Sequence, residues 1–185
     1  MKGWRRKGDT VLAVFDRQEA ALVRGLVSQI QEMLEVRAED APQDELAELT
    51  GIRTGPSTAP DDPILSRLLP DFHRLDDDAP TTEDQNSAAG LRSLHEPGLI
   101  DFKTGVAGVL LDTCPPRGGE VRLTLEQADS WLSALNDVRL ALGTALDVRE
   151  DMPEKLPEDD PRAPHLDVYH WLTWVQESLI QAVSG

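Results

Sequence analysis

The sequence predicts a mainly α-helical fold: a bundle of four or five core helices carrying a small antiparallel β-sheet. Three observations lead there. Apolar residues recur at helical spacing through several long windows, two short apolar runs are bounded by glycine-containing turns, and 39% of the 185 residues are apolar. That content fills one core in a chain of this length, which hides about two-thirds of its unfolded-state surface. A single domain over residues 1–185 follows, ordered although 28% of residues are charged.

The opening alternates polar and apolar residues around Trp4, turns at Lys7, Gly8 and Asp9, and runs on from Thr10 to Phe15. This is a short β-hairpin. From about Asp16, Leu22, Val23, Leu26, Val27, Ile30, Met33 and Leu34 mark one face of a long helix. Residues 38–60 are acidic and rich in Pro, Gly, Ser and Thr, and are expected to form a mobile connector with one brief helical pattern, Leu46 to Leu49. Asp61 or Asp62 caps a short helix with Pro63 in its first turn, closed by Pro70. Thr82 with Gln85 forms a capping box for a weakly amphipathic helix to about Leu94, after which Pro97 restarts the chain.

A more apolar helix then spans Leu99 to Leu111 and stops at Pro115 and Pro116. Gly105 and Gly108 inside it each cost about 1 kcal/mol relative to Ala, which close packing of another element would offset. Val121 to Leu123 is a short strand, for which the hairpin is the natural partner. Thr124 and Gln127 box the next helix, with Ala128, Trp131, Leu132, Leu135, Val138, Leu142 and Leu146 on its face. Residues 147–164 hold four prolines among acids and read as a second mobile segment, and a last helix carries Val168, Leu172, Val175, Leu179 and Val183 back to the core. Trp131, Trp171 and Trp174 are expected in one seam between the two C-terminal helices.

Charge and chemistry narrow the function. A net charge of −16 argues against non-specific binding to nucleic acid or anionic membrane. Screening nevertheless confines fields to about 8 Å at physiological salt, so a local basic patch can act. The candidate is Lys2, Arg5, Arg6 and Lys7 around Trp4, read either as a solvated strand edge or as a contact for DNA or a partner. No stretch approaches a membrane span and no signal-like block follows the basic start, so a cytoplasmic location is expected.

No phosphate-binding glycine loop, metalloprotease motif or nucleophile elbow is present, and no catalytic residue, metal or cofactor is assigned. Asp76, Asp77 and Asp78 read as a solvated turn. His165 and His170 lie about 140° apart on a helix and do not face one ion. Cys114, the single cysteine, cannot form an internal disulfide, and its place beside Asp112 at a helix C-terminus disfavours the thiolate. It is the one redox candidate, and these effects favour an inert thiol over a sensor. Asn136 and Arg139 share a face, where the Arg fork would meet a carboxylate on a partner or, as an internal ion pair, inside the fold.

Three stretches resemble a known family. They are Trp131-Leu132-Ser133-Ala134-Leu135-Asn136-Asp137-Val138-Arg139-Leu140-Ala141-Leu142-Gly143-Thr144, Tyr169-His170-Trp171-Leu172-Thr173-Trp174-Val175-Gln176-Glu177 and Asp62-Pro63-Ile64-Leu65-Ser66-Arg67-Leu68-Leu69-Pro70. Together they are similar to an actinobacterial uncharacterised-domain family, the AosR-like oxidative-stress transcriptional regulators, whose genes often lie near that of the ClpS protease adaptor. The resemblance implies a cytoplasmic regulator. Taken with the acidic charge and the lack of catalytic motifs, the chain is read as a non-enzymatic protein that binds another protein, such as a sigma factor or RNA polymerase, with weak or assisted DNA contact. The alternatives are an enzyme or metal-binding helical domain with a cryptic site, and an adaptor in regulated proteolysis.

Overall fold

A computed structural model describes residues 1–41, 51, 53–72, 81–153, 155–157 and 159–185. The pattern at Leu46 to Leu49 and the acids Asp76, Asp77 and Asp78 lie outside the described residues. Strands β1 (Arg5–Lys7), β2 (Thr10–Phe15) and β3 (Gly119–Thr124) form one antiparallel sheet in that spatial order. Helices α1 (Arg17–Glu39), α2 (Pro63–Leu68), α3 (Thr82–Thr113), α4 (Leu125–Ala145) and α5 (Ala163–Ser184) make the fold mainly α. None of the described helices is long and apolar enough to cross a membrane.

The hairpin turns on Gly8 and Asp9, with Gly8 at φ +62°, the glycine position of a two-residue primed turn. Val11, Ala13 and Phe15 of β2 and Val121 and Leu123 of β3 are buried. Val11 opposes Leu123 and Ala13 opposes Val121, so one face of the sheet is apolar and packs on the helices. Gly118, at φ +75°, leads into β3 where a Cβ would lie 2.6 Å from the carbonyl carbon of Asp16. Only glycine allows the strand to pass so close to the start of α1.

Capping sets the helix starts. Asp16 accepts from the backbone N–H groups of Gln18 and Glu19 while Glu19 answers to the Asp16 N–H, and Thr124 with Gln127 does the same for α4. For α3 the box is Thr81 with Asp84, one residue before the expected pair of Thr82 and Gln85.

The larger difference lies at Pro97, where two helices were expected and α3 continues for 32 residues. Proline removes the N–H that would bond the carbonyl of Ser93. Here the backbone N–H of Gly55 donates to that carbonyl at 2.7 Å, and the Ser93 hydroxyl donates to the Gly55 carbonyl at 2.8 Å. The orphaned acceptor is thus filled by a segment expected to be mobile. Gly55 is buried, and a Cβ on it would meet the Pro97 ring at 2.9 Å.

Charged side chains secure the same region. Glu96 is fully buried, with one carboxylate oxygen accepting from Arg37 Nε at 2.7 Å and the other from Arg92 Nη1. Arg37 also donates to the Thr58 carbonyl at 2.6 Å, and Arg92 to the Leu69 carbonyl at 3.2 Å and to Asp71 at 2.6 Å. Burial works to lower the Arg92 pKa, but the hydrogen bonds to Asp71 and Glu96 outweigh it and raise the value. The Arg92 guanidinium therefore stays charged. Between α3 and α4, Lys103 pairs with the buried Asp137 at 2.5 Å. Burial pushes the Asp137 carboxyl upward and Lys103 holds it back.

Replacing Glu96 by Ala leaves two buried guanidinium groups facing each other, so a loss of about 3–5 kcal/mol is expected. Urea unfolding measures it, and a loss under about 1 kcal/mol would show that the triad is not what secures these segments.

Candidate partner-binding groove

The other end of the molecule is built on aromatic rings. Trp4 meets Trp131 edge-on at 5.3 Å between centroids and Phe15 at 5.9 Å, and Phe15 meets Trp131 at 5.8 Å. The Trp131 indole N–H donates to Thr113 Oγ1 at 2.7 Å. Trp4, expected among the contact residues, is 6% exposed and belongs to the core. The chain enters the hairpin through this ring, and its neighbours Lys2, Arg5, Arg6 and Lys7 stay exposed.

Strand β1 lies beside the C-terminal half of α5. Arg6 donates to the Val183 carbonyl at 2.8 Å, and the Trp4 backbone N–H to the Ser178 hydroxyl at 3.5 Å. Arg6 thereby satisfies a carbonyl that the end of the helix leaves without a donor. Between strand and helix runs an open groove of about 450 Å³, lined by Arg5, Arg6, Trp174, Ser178 and Gln181 among others. None of its lining side chains is acidic, although the chain carries a net −16. Arg5 and Arg6 thus line it with basic side chains on an acidic molecule, and at short range the local charge governs what approaches.

Trp174 forms the apolar wall of this groove and is 41% exposed. It was expected in the seam with Trp131 and does not lie there. Leu172, Val175 and Leu179 are the buried residues of α5, and Trp174 sits two positions from Leu172, about 200° round the helix. Trp171 is partly buried against the core.

The remaining expected residues are scattered. Asn136 is exposed, whereas Arg139 is half-buried and turned to α5, so the two form no common site. Arg139 meets no carboxylate among the described residues. Its Nε donates to Thr173 Oγ1 at 3.0 Å and its Nη1 to Gln176 Oε1, neutral oxygens in place of the expected ion pair. Cys114 is buried at the C-cap of α3, where Arg24 donates to its carbonyl at 2.6 Å. Burial pushes the thiol up to about 11, against a smaller opposing pull from Arg24. His165, Asp167 and His170 are all exposed, and among the described residues no three His, Cys, Asp or Glu gather to hold a metal.

The charged triad carried a signal in the sequence. Arg37 continues the apolar stripe Val23, Val27, Ile30, Leu34 of α1, and Arg92, Glu96 and Lys103 continue the stripe of Ile100, Ala107 and Leu110 in α3. A charge in register with an apolar stripe demands a buried partner. The glycines of α3 are different: a Cβ at Gly105 or Gly108 would meet nothing within 4 Å, so close packing inside the fold does not account for them.

The chain is thus a mainly α-helical domain with a three-stranded sheet, a basic strand edge and a half-exposed tryptophan. Residues 1–183 match the family described as a domain of unknown function, DUF2017, and the chain belongs to it. It is similar to proteins named oxidative stress regulator AosR in Mycobacterium tuberculosis and Mycobacterium bovis. Each is 48% identical over 172 residues, which cover 90% of this chain and 79% of the relative. A protein of Mycobacterium leprae named putative oxidative stress regulator AosR is 41% identical over 192 residues, covering 99% and 88%. No solved structure matches the chain.

Two outcomes test this site. Trp174→Ala should cost less than about 1 kcal/mol while Trp131→Ala costs about 3–5 kcal/mol, as thermal unfolding of the two variants will show. Because the folded protein holds the Cys114 proton from about 9, the ordinary value, up to about 11, stability falls as pH rises through that window. The fall should be smaller in Cys114→Ser, and a wild-type thiol that reacts at pH 8 as fast as a free one would contradict the burial.

Proposed function

We propose that this chain is a non-enzymatic regulatory protein of the oxidative-stress response, cytoplasmic, acting by contact with another protein. The observation that carries the reading is the groove between β1 and α5, where an exposed tryptophan stands beside cations on an otherwise acidic molecule. Tryptophan and arginine supply most of the binding energy at protein interfaces, through apolar area and forked hydrogen bonds. The regulator names of the mycobacterial relatives support the same reading.

The partner is a component of the transcription apparatus, such as a sigma factor or RNA polymerase, presenting acidic and apolar residues. Direct DNA contact is weak, through Lys2, Arg5, Arg6 and Lys7. Four phosphate contacts give a salt slope of only about −3.6 and act against the repulsion of the acidic body.

Binding to purified actinobacterial RNA polymerase holoenzyme is the test. Trp174→Ala, and separately Arg5→Glu with Lys7→Glu, should each weaken binding at least about tenfold while the protein stays folded. Unchanged binding in both variants excludes the groove. Tight binding to DNA alone at physiological salt excludes the partner-dependent mechanism.

A further inference from the structure

We infer a second site, independent of the groove, that binds a small molecule bearing a compact oxyanion, a phosphate or a carboxylate. It is a cavity of about 350 Å³ where α2, α4 and α5 meet, and its polar walls are Arg67, Arg139, Thr144, Asp147 and Tyr169. The size is at the lower end for small-molecule sites and too small for a folded segment of another protein.

The pairing of cations across the fold sets this cavity apart. Arg37 and Arg92 share Glu96, Lys103 has Asp137, and Arg24 takes the carbonyls at the end of α3. Arg139 is set between helices in the same way, yet it bonds only the neutral oxygens of Thr173 and Gln176. Those bonds use two of its five N–H groups. Among the described residues the other three have no partner. Arg67, exposed on α2, makes no hydrogen bond or ion pair to a described residue.

Two guanidinium groups with no carboxylate partner among the described residues thus line one cavity in a chain of net charge −16. Forked N–H donors of this kind match carboxylate and phosphate oxygens. The acid in the wall, Asp147, is already paired with Arg149 at 2.6 Å.

The rest of the cavity is arranged around Arg139. Its guanidinium carbon lies 5.6 Å from the centre of the Tyr169 ring, which fixes the plane of the fork. Gly143 stands in the same wall, where a Cβ would lie at van der Waals contact, 3.5 Å, from that ring. The carbonyls ending α4, which would repel an anion, are partly occupied. Val148 N–H donates to the Gly143 carbonyl at 2.9 Å and Asp147 N–H to Thr144 at 3.2 Å, with Asp147 in the left-handed conformation at φ +52°.

The test is a titration of the full chain, followed by the NMR signals of the Arg139 side-chain Nε–H and the Gly143 amide. Inorganic phosphate and citrate are added separately at constant ionic strength against chloride. Saturable shifts at both positions are expected with at least one of the two, and the anion that saturates tells phosphate from carboxylate. Arg67→Ala should weaken that binding at least about tenfold. It should leave the unfolding midpoint within about 1 °C, because Arg67 is exposed and bonds no described residue. Absence of saturation by either anion up to about 50 mM, or an Arg67→Ala titration superimposable on the wild type, overturns the site.

Discussion

The architecture depends on a single carboxylate. Glu96 is fully buried near the middle of the longest helix, and each of its oxygens is taken by a different arginine. A lone buried charge costs several kcal/mol, so Arg37 and Arg92 must be drawn in with it. Each guanidinium brings N–H groups that need acceptors of their own, and these are found in the irregular chain, at Thr58, Leu69 and Asp71. One acid thereby commits α1, α3 and the path of residues 53–72. Pro97, next to it, adds the missing helical donor that Gly55 replaces. Local irregularity and buried charge solve each other's hydrogen-bonding problems.

The opposite end is ordered by apolar contacts. The sheet presents Val11, Phe15 and Leu123 to the helices, and Trp4, Phe15 and Trp131 close the space between them. Burying Trp4 draws its basic neighbours onto the strand edge beside α5. The groove is a consequence of this packing: a strand too short to cover the helix leaves Trp174 half in solvent. Cys114, the single thiol, is shielded, its proton held by burial.

Much of the helical pattern was legible in the sequence because periodicity and capping are local. The hairpin turn at Gly8, the box at Thr124 and the stop at Pro115 need only neighbouring residues, and so did the basic cluster at the start of the chain. Pro97 was misleading for the same reason. Its effect on a helix is local, but the donor that rescues it comes from Gly55, 42 positions away, and no window contains both.

What the sequence by itself determined is therefore the class of fold, the excess of acid, the single thiol and the charges in register with apolar stripes. The tertiary structure decided which charges meet. It placed Trp131 among Trp4 and Phe15 rather than against Trp174, turned Trp174 to solvent and set Arg139 beside neutral oxygens. The physical reason is that helical spacing tells which residues share a face, whereas burial and pairing depend on which other element covers that face.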